Sequence, residues 1–226
     1  MAANLPLQHT FTMIIAAPSR GGKTHFVAKL LRESNQMIQP SPQEIYYCYT
    51  QYQPLFDSMR GVHFHQGMID IETIDSSKRN LLILDDLMQE VDENVEKMFT
   101  RDSHHRNLSV IFLTQNLYQK NRFMRTMSLN ASYIVLFRNP RDINQIGVLA
   151  RQMYSKNSSF LIDAFRDATA VPYGYILVDL RQETPDLLRV RTGIFQDEHA
   201  YIYLPKRETL SLQRYTNQSK DHVKKT

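Results

Sequence analysis

Residues 11 to 24, Phe-Thr-Met-Ile-Ile-Ala-Ala-Pro-Ser-Arg-Gly-Gly-Lys-Thr, restrict the fold more than any other stretch. The apolar run Phe11 to Ala16 reads as a short buried strand. It leads into Ala17-x-x-x-x-Gly22-Lys23-Thr24 and then into His25 to Leu31, whose apolar spacing suits a helix. A nucleoside triphosphate site requires this order of strand, loop and helix. The loop Ala17, Pro18, Ser19, Arg20, Gly21, Gly22 and the first turn Lys23, Thr24, His25 aim backbone N–H groups at one spot. There the helix dipole adds partial positive charge. Lys23 is placed to reach β- and γ-phosphates, and the Thr24 hydroxyl to ligate Mg²⁺. The strict pattern has glycine where this chain has Ala17. The competing reading is a glycine-rich turn with a surface lysine.

A chain of 226 residues suits one large α/β domain, or a domain with a small appendage. Its size needs no staple. The single cysteine, Cys48, excludes an internal disulfide framework and fits a reducing compartment. The first ten residues have neither the charged nor the apolar region of a leader. No run approaches the ~20 apolar residues of a membrane span. The expectation is a soluble intracellular protein.

Net charge is +4, and from Pro205 onward six basic residues face two acids, so the tail carries all of it. Such a tail can track phosphates or simply keep the chain soluble. Glu33 to Gln43, with Pro40 and Pro42, reads as a surface connection. Glu44 to Thr50 has strand composition, and Tyr46, Tyr47, Tyr49 and Tyr52 suit packing better than base stacking. His63 and His65 share a face of a short strand without partners to complete a metal set.

Leu81-Leu82-Ile83-Leu84-Asp85-Asp86 is the second informative stretch. It reads as a buried parallel strand ending in acid, and open α/β sheets bind ligands at that edge. Asp85 would hold Mg²⁺ through water, opposite Thr24, and Asp86 would position or polarise the attacking water. Val91 to Phe99 has helical spacing and ends near Arg101. Leu108 to Leu113 is another buried strand, terminating in Thr114-Gln115-Asn116. Gln115 there would sit beside Asp85 and sense the γ-phosphate, the rival reading being ordinary loop chemistry.

Beyond this, helices are expected over Asn121 to Asn130, Ile143 to Tyr154 and Asn157 to Ala168, with a buried strand at Tyr133 to Phe137. Tyr173 to Leu180 and Leu187 to Phe195 read as a strand pair, and Ala200 to Leu204 as a last strand. Arg189 and Arg191 lie on one face of their strand and are assigned to solvent, with phosphate contact as the rival reading. No internal repeat or low-complexity tract is present.

Three stretches carry a narrower likeness: Ala17 to Thr24, Leu82 to Met88, and His105 to Asn116. In them the chain resembles FtsK/HerA-type genome-packaging ATPases of double-jelly-roll DNA viruses and polinton-like or adintovirus-like elements, the group that includes poxvirus-type packaging ATPases. Leu129-Asn130-Ala131, Arg138 to Asp142 and Pro172-Tyr173-Gly174-Tyr175 extend the likeness over residues 9 to 204. The resemblance implies a P-loop NTPase of the RecA/ASCE-like type. That is a three-layer α/β sandwich on a mostly parallel sheet of order 5-1-4-3-2, with a C-terminal strand extension. It implies a single ATPase domain over 1–204 and a basic, flexible tail over 205–226.

It further implies ATP and Mg²⁺ as ligands, a homo-oligomeric ring (pentamer or hexamer), and movement of double-stranded DNA into a viral capsid or through its portal vertex. The setting would be a host nucleus or cytoplasm, or the virion. Ring members complete each site with an arginine from a neighbouring subunit, which points to Arg101 or Arg106, then Arg138 and Arg141. The chain departs from many relatives in carrying Asp86 where they carry glutamate, which leaves Glu90 as an alternative base. It also lacks a nuclease stretch. Two other classes stay open from the sequence: a nucleotide or small-molecule kinase, and a slow ATP-dependent switch or scaffold.

Overall fold

The computed structural model describes residues 5–87, 93–103, 106–118, 122–142 and 144–205. Glu90, His104, His105 and the basic tail from residue 206 onward lie outside them. Eleven strands are present among the described residues: β1 (Leu7–Gln8), β2 (Thr12–Ala16), β3 (Ile38–Gln39), β4 (Glu44–Tyr49), β5 (His63–Gln66), β6 (Asn80–Asp85), β7 (Leu108–Thr114), β8 (Tyr133–Phe137), β9 (Tyr175–Asp179), β10 (Val190–Thr192) and β11 (Tyr201–Ile202). Nine form one sheet in the order β11-β10-β9-β8-β2-β7-β6-β4-β5, and β1 pairs with β3 apart from it. The strands from β8 to β5 are mutually parallel, whereas β9, β10 and β11 add antiparallel.

Strands β2, β6, β7, β8 and β9 are buried from end to end, as continuous apolar runs without alternation require. Their side chains divide by the period of two between the sheet's faces. Ile14, Ala16, Leu82, Leu84, Val110, Phe112, Ile134 and Leu136 meet the helices Arg122–Asn130, Asn144–Met153 and Ser158–Ala168 on one face. Met13, Ile15, Leu81, Ile83, Ile111, Leu113 and Val135 meet α1 (Lys23–Arg32) on the other. The result is a three-layer α/β sandwich.

Two expectations change. The stretch after α1 carries a short helix, Ser34–Met37, and β3, with Met37 and Ile38 buried. It is not a plain surface connection, because β3 pairs in parallel with β1 from near the start of the chain. The strand expected over Leu187 to Phe195 shrinks to β10. Asp186–Leu188 turns as a 3₁₀-helix, and Gly193 takes φ 64° with His199 O only 1.9 Å from where a Cβ would stand. No helix of the described residues is long and apolar enough to cross a membrane.

Candidate functional site

Register fixes the site. Ala16 at the end of β2 lies opposite Thr114 of β7, and Asp85 at the end of β6 lies opposite Leu113 of the same strand. The loop, Asp85–Asp86 and Gln115 therefore leave three adjacent strands at one edge. All three contribute to one pocket of about 890 Å³, together with Ser19 to Phe26. Parallel α/β sheets bind ligands at this carboxyl edge.

The loop's backbone explains its residues. Gly22 caps α1 at φ 100°, a conformation other residues reach only with strain. At Gly21 a Cβ would stand 2.7 Å from Pro18 O, and its N–H donates to that same carbonyl (2.9 Å). Ala17 is not at positive φ, so glycine is not needed there. Its N–H instead ties the loop to Thr114 O (3.1 Å).

Lys23 Nζ donates to Ala17 O (2.7 Å) and Pro18 O (3.3 Å), inside the arch of the loop. Burial lowers its pKa, opposed by the charges of Asp85 and Asp86. Asp85 is 5% exposed. Burial raises its carboxyl pKa, while a hydrogen bond from Tyr47 and the charge of Lys23 lower it. Asp86 sits at φ 58°, a region aspartate tolerates, with its carbonyl accepting from Thr50 Oγ1 (2.9 Å).

One participant was missed in the sequence. Tyr47 of β4, fully buried, donates its hydroxyl to Asp85 Oδ2 at 2.7 Å. Burial raises its own pKa, and the Thr24 side chain is close enough to act against that rise. Tyr47 thus lies between the two residues expected to hold a metal. The strand packing expected of these tyrosines is real, since Tyr47 and Tyr49 both meet Phe56. The hydroxyl contact crosses strands and leaves no local signal.

The donor set fits a hard divalent cation. Tyr47 holds one oxygen of Asp85. Among the described residues no group of three His, Cys, Asp or Glu gathers to hold a metal.

Other expected residues fall elsewhere. Asn116 ties its loop to the segment after β8, donating to Asp142 Oδ2 (2.7 Å) and accepting from Tyr118 N (2.8 Å). Arg106 precedes β7, at the sheet edge opposite the loop, and pairs with Glu72. Arg101 lies in the π-helical segment Met98–Asp102. Arg138 and Arg141 follow β8 on the loop's side of the sheet and are exposed. Arg189 and Arg191 are not a solvated face: Arg191 is 6% exposed and binds Asp179 Oδ2 (3.3 Å). Arg189 donates to the carbonyls of Asp179 and Arg181. His63 pairs with Glu44, and His65 meets the Gly67 carbonyl.

No protein-family model and no curated protein matches the chain. Among solved structures, the genome packaging NTPase of Sulfolobus turreted icosahedral virus 2, in complex with sulfate, aligns at a TM-score of 0.51 and 12% identity, covering 88% of this chain and 98% of that one. This chain shares the fold of that NTPase. The same protein in complex with AMPPCP aligns at 0.48 and 14% identity over 87% and 98% of the two chains. The cytoplasmic domain of EssC aligns at 0.40 and 12% identity over 95% and 44%.

Proposed function

We propose that the chain binds ATP with Mg²⁺ and hydrolyses it, and that a homo-oligomeric ring of it drives double-stranded DNA into a viral capsid. One observation carries this reading. Lys23, Asp85, Asp86 and Gln115, from three separate segments, open onto one pocket built around an amide-lined loop. The fold likeness to a genome packaging NTPase supports it. With the parallel edge strand β5 set aside, the run β8-β2-β7-β6-β4 is compatible with the order 5-1-4-3-2, and the antiparallel β9 to β11 with a C-terminal extension.

In this reading the amides of Gly22 to Thr24 and the Lys23 ammonium hold the phosphates. Thr24 and Asp85 hold the cation, which supplies charge neutralisation on the phosphoryl oxygens. Tyr47 keeps Asp85 oriented by donating to one of its oxygens, as partners of metal-ligating carboxylates do. Asp86 takes the proton of the attacking water, and Gln115 senses the γ-phosphate. Arg106, at the far edge, cannot serve its own subunit's site, so it or Arg101 acts in trans, ahead of Arg138 and Arg141. Hydrolysis then depends on assembly. The basic tail would track DNA phosphates, making binding salt-sensitive and indifferent to base sequence. The protein would act as a soluble intracellular factor at the capsid or portal vertex.

The test is the ATPase rate per subunit, with and without double-stranded DNA, across a protein-concentration series. Stimulation by DNA and a rate that rises with assembly are expected. A rate requiring a small phosphoacceptor would indicate a kinase instead. A slow rate under every condition would indicate a switch.

A further inference from the structure

The pocket extends well past its phosphate end. At about 890 Å³ it is in the range of sites that enclose whole drug-sized ligands. Asp85, Asp86 and Gln115 mark one end, on the β6 and β7 side of the loop. On the β8 and β9 side the wall is aromatic: Phe137, Tyr173, Tyr175 and Phe195.

Three of these rings already have partners. Phe137, Tyr175 and Phe195 each pack edge-on against Phe26 of α1. On the opposite wall, Tyr49 and Tyr52 pack against Phe56, and the Tyr52 hydroxyl is held by Asp57. Tyr173 differs. It is 70% exposed and makes no ring contact among the described residues.

Its backbone explains how so exposed a ring is held. Tyr173 sits at φ 60°, a left-handed conformation that is strained for an aromatic residue. The turn around it has no slack: Gly174 N–H donates to Val171 O (3.0 Å), and a Cβ at Gly174 would stand 2.4 Å from Ala168 O. The ring is aimed at the loop. A Cβ on Gly22 would stand 3.2 Å from Tyr173 Cδ1. Strain of this kind, holding an apolar face toward solvent beside a binding loop, is a feature of ligand clamps.

We propose that Tyr173 is the platform on which the base of the bound nucleotide stacks. The proposal rests on the reading of residues 17–24 as a phosphate loop and adds the nucleoside end of that site. Stacking uses the π-face that every base has, so the platform contributes equally to adenine and guanine nucleotides.

The experiment uses the full chain, titrated with ATP, GTP and inorganic tripolyphosphate, each with Mg²⁺. Wild type should bind ATP more tightly than tripolyphosphate. Tyr173→Ala should weaken ATP and GTP alike, by about 10- to 100-fold, and leave tripolyphosphate unchanged. The chain contains no tryptophan, so the Tyr173→Trp variant carries a single fluorescent reporter at this position. Its affinity for ATP should match wild type, and its emission should be quenched by ATP and GTP but not by tripolyphosphate. If Tyr173→Ala binds ATP like wild type while changing only the oligomeric state, the ring is a subunit contact and the proposal falls. If wild type binds neither ATP nor tripolyphosphate, the phosphate-loop reading fails and takes the platform with it.

Discussion

Two clusters of buried charge occupy opposite edges of the sheet. At the carboxyl edge of β2 and β6, Lys23 and Asp85 lie close enough to shift each other's pKa, yet the lysine donates to loop carbonyls and the carboxylate accepts from Tyr47. At the other edge, Asp179 is 1% exposed and accepts from Arg181 N (3.2 Å), Nε (3.2 Å) and Nη2 (3.1 Å), and from Arg191 Nη2 (3.3 Å). Arg191 Nη1 also donates to Leu5 O (3.1 Å), tying the start of the chain to β10. In the second cluster the carboxylate is held by two guanidinium groups, and only the buried Arg191 Nε lacks a hydrogen-bond partner among the described residues. The first opens into the pocket with donors and acceptors in reserve. Buried charge paired with opposite charge inside the protein holds a fold together, whereas buried charge facing a cavity is arranged for a ligand.

Substitutions at the two edges should therefore separate binding from stability. The largest effect on function is expected from Lys23→Ala, which should lower ATP turnover by at least about 10²–10³-fold with little change in melting temperature. Asp86→Asn should leave nucleotide affinity near wild type and slow hydrolysis by about 10²–10⁴-fold, read by single-turnover kinetics beside a binding titration. Arg191→Ala should do the reverse, costing about 3 kcal/mol in chemical denaturation while leaving nucleotide affinity unchanged once the protein is folded. An Arg191→Ala protein of normal stability would dissolve the contrast.

Tyr47→Phe should have a smaller effect, confined to the metal. Nucleotide affinity without Mg²⁺ should hold, and affinity for Mg²⁺ should fall about 10-fold. Its pH dependence has a defined sign. Burial raises the Asp85 pKa and the Tyr47 hydrogen bond lowers it, so losing that bond raises it further. On acidification the Phe variant should thus lose Mg²⁺-dependent binding at a higher pH than wild type. The smallest signal is expected from mixing. Arg101→Ala or Arg106→Ala subunits combined with Lys23→Ala subunits should recover partial ATPase activity, and silence at every ratio would count against a finger in trans.

The loop and the two aspartates were legible because each is a contiguous run. Phe11 to Ala16 and Leu81 to Leu84 are apolar throughout, and the chemistry follows directly at their carboxyl ends. Gln115 was legible for the same reason. What the sequence hid depends on contacts between distant segments. Tyr47 reaches Asp85 across strands that pair only in the fold. Arg191 shares a strand face with Arg189, as surface residues would, and only antiparallel pairing with β9 brings it to Asp179. Ile38 follows a polar stretch and is buried by a partner strand about thirty residues earlier. Tyr173 looked like one aromatic in a strand, and its exposure comes from the turn that precedes β9.

The most direct test of the central claim is a crystal structure grown with a nonhydrolysable ATP analogue and Mg²⁺. The account predicts phosphate oxygens at about 2.7–3.2 Å from the amides of Gly22 to Thr24, with the metal between Thr24 and Asp85. An analogue bound elsewhere, or a metal out of reach of Asp85, would contradict it.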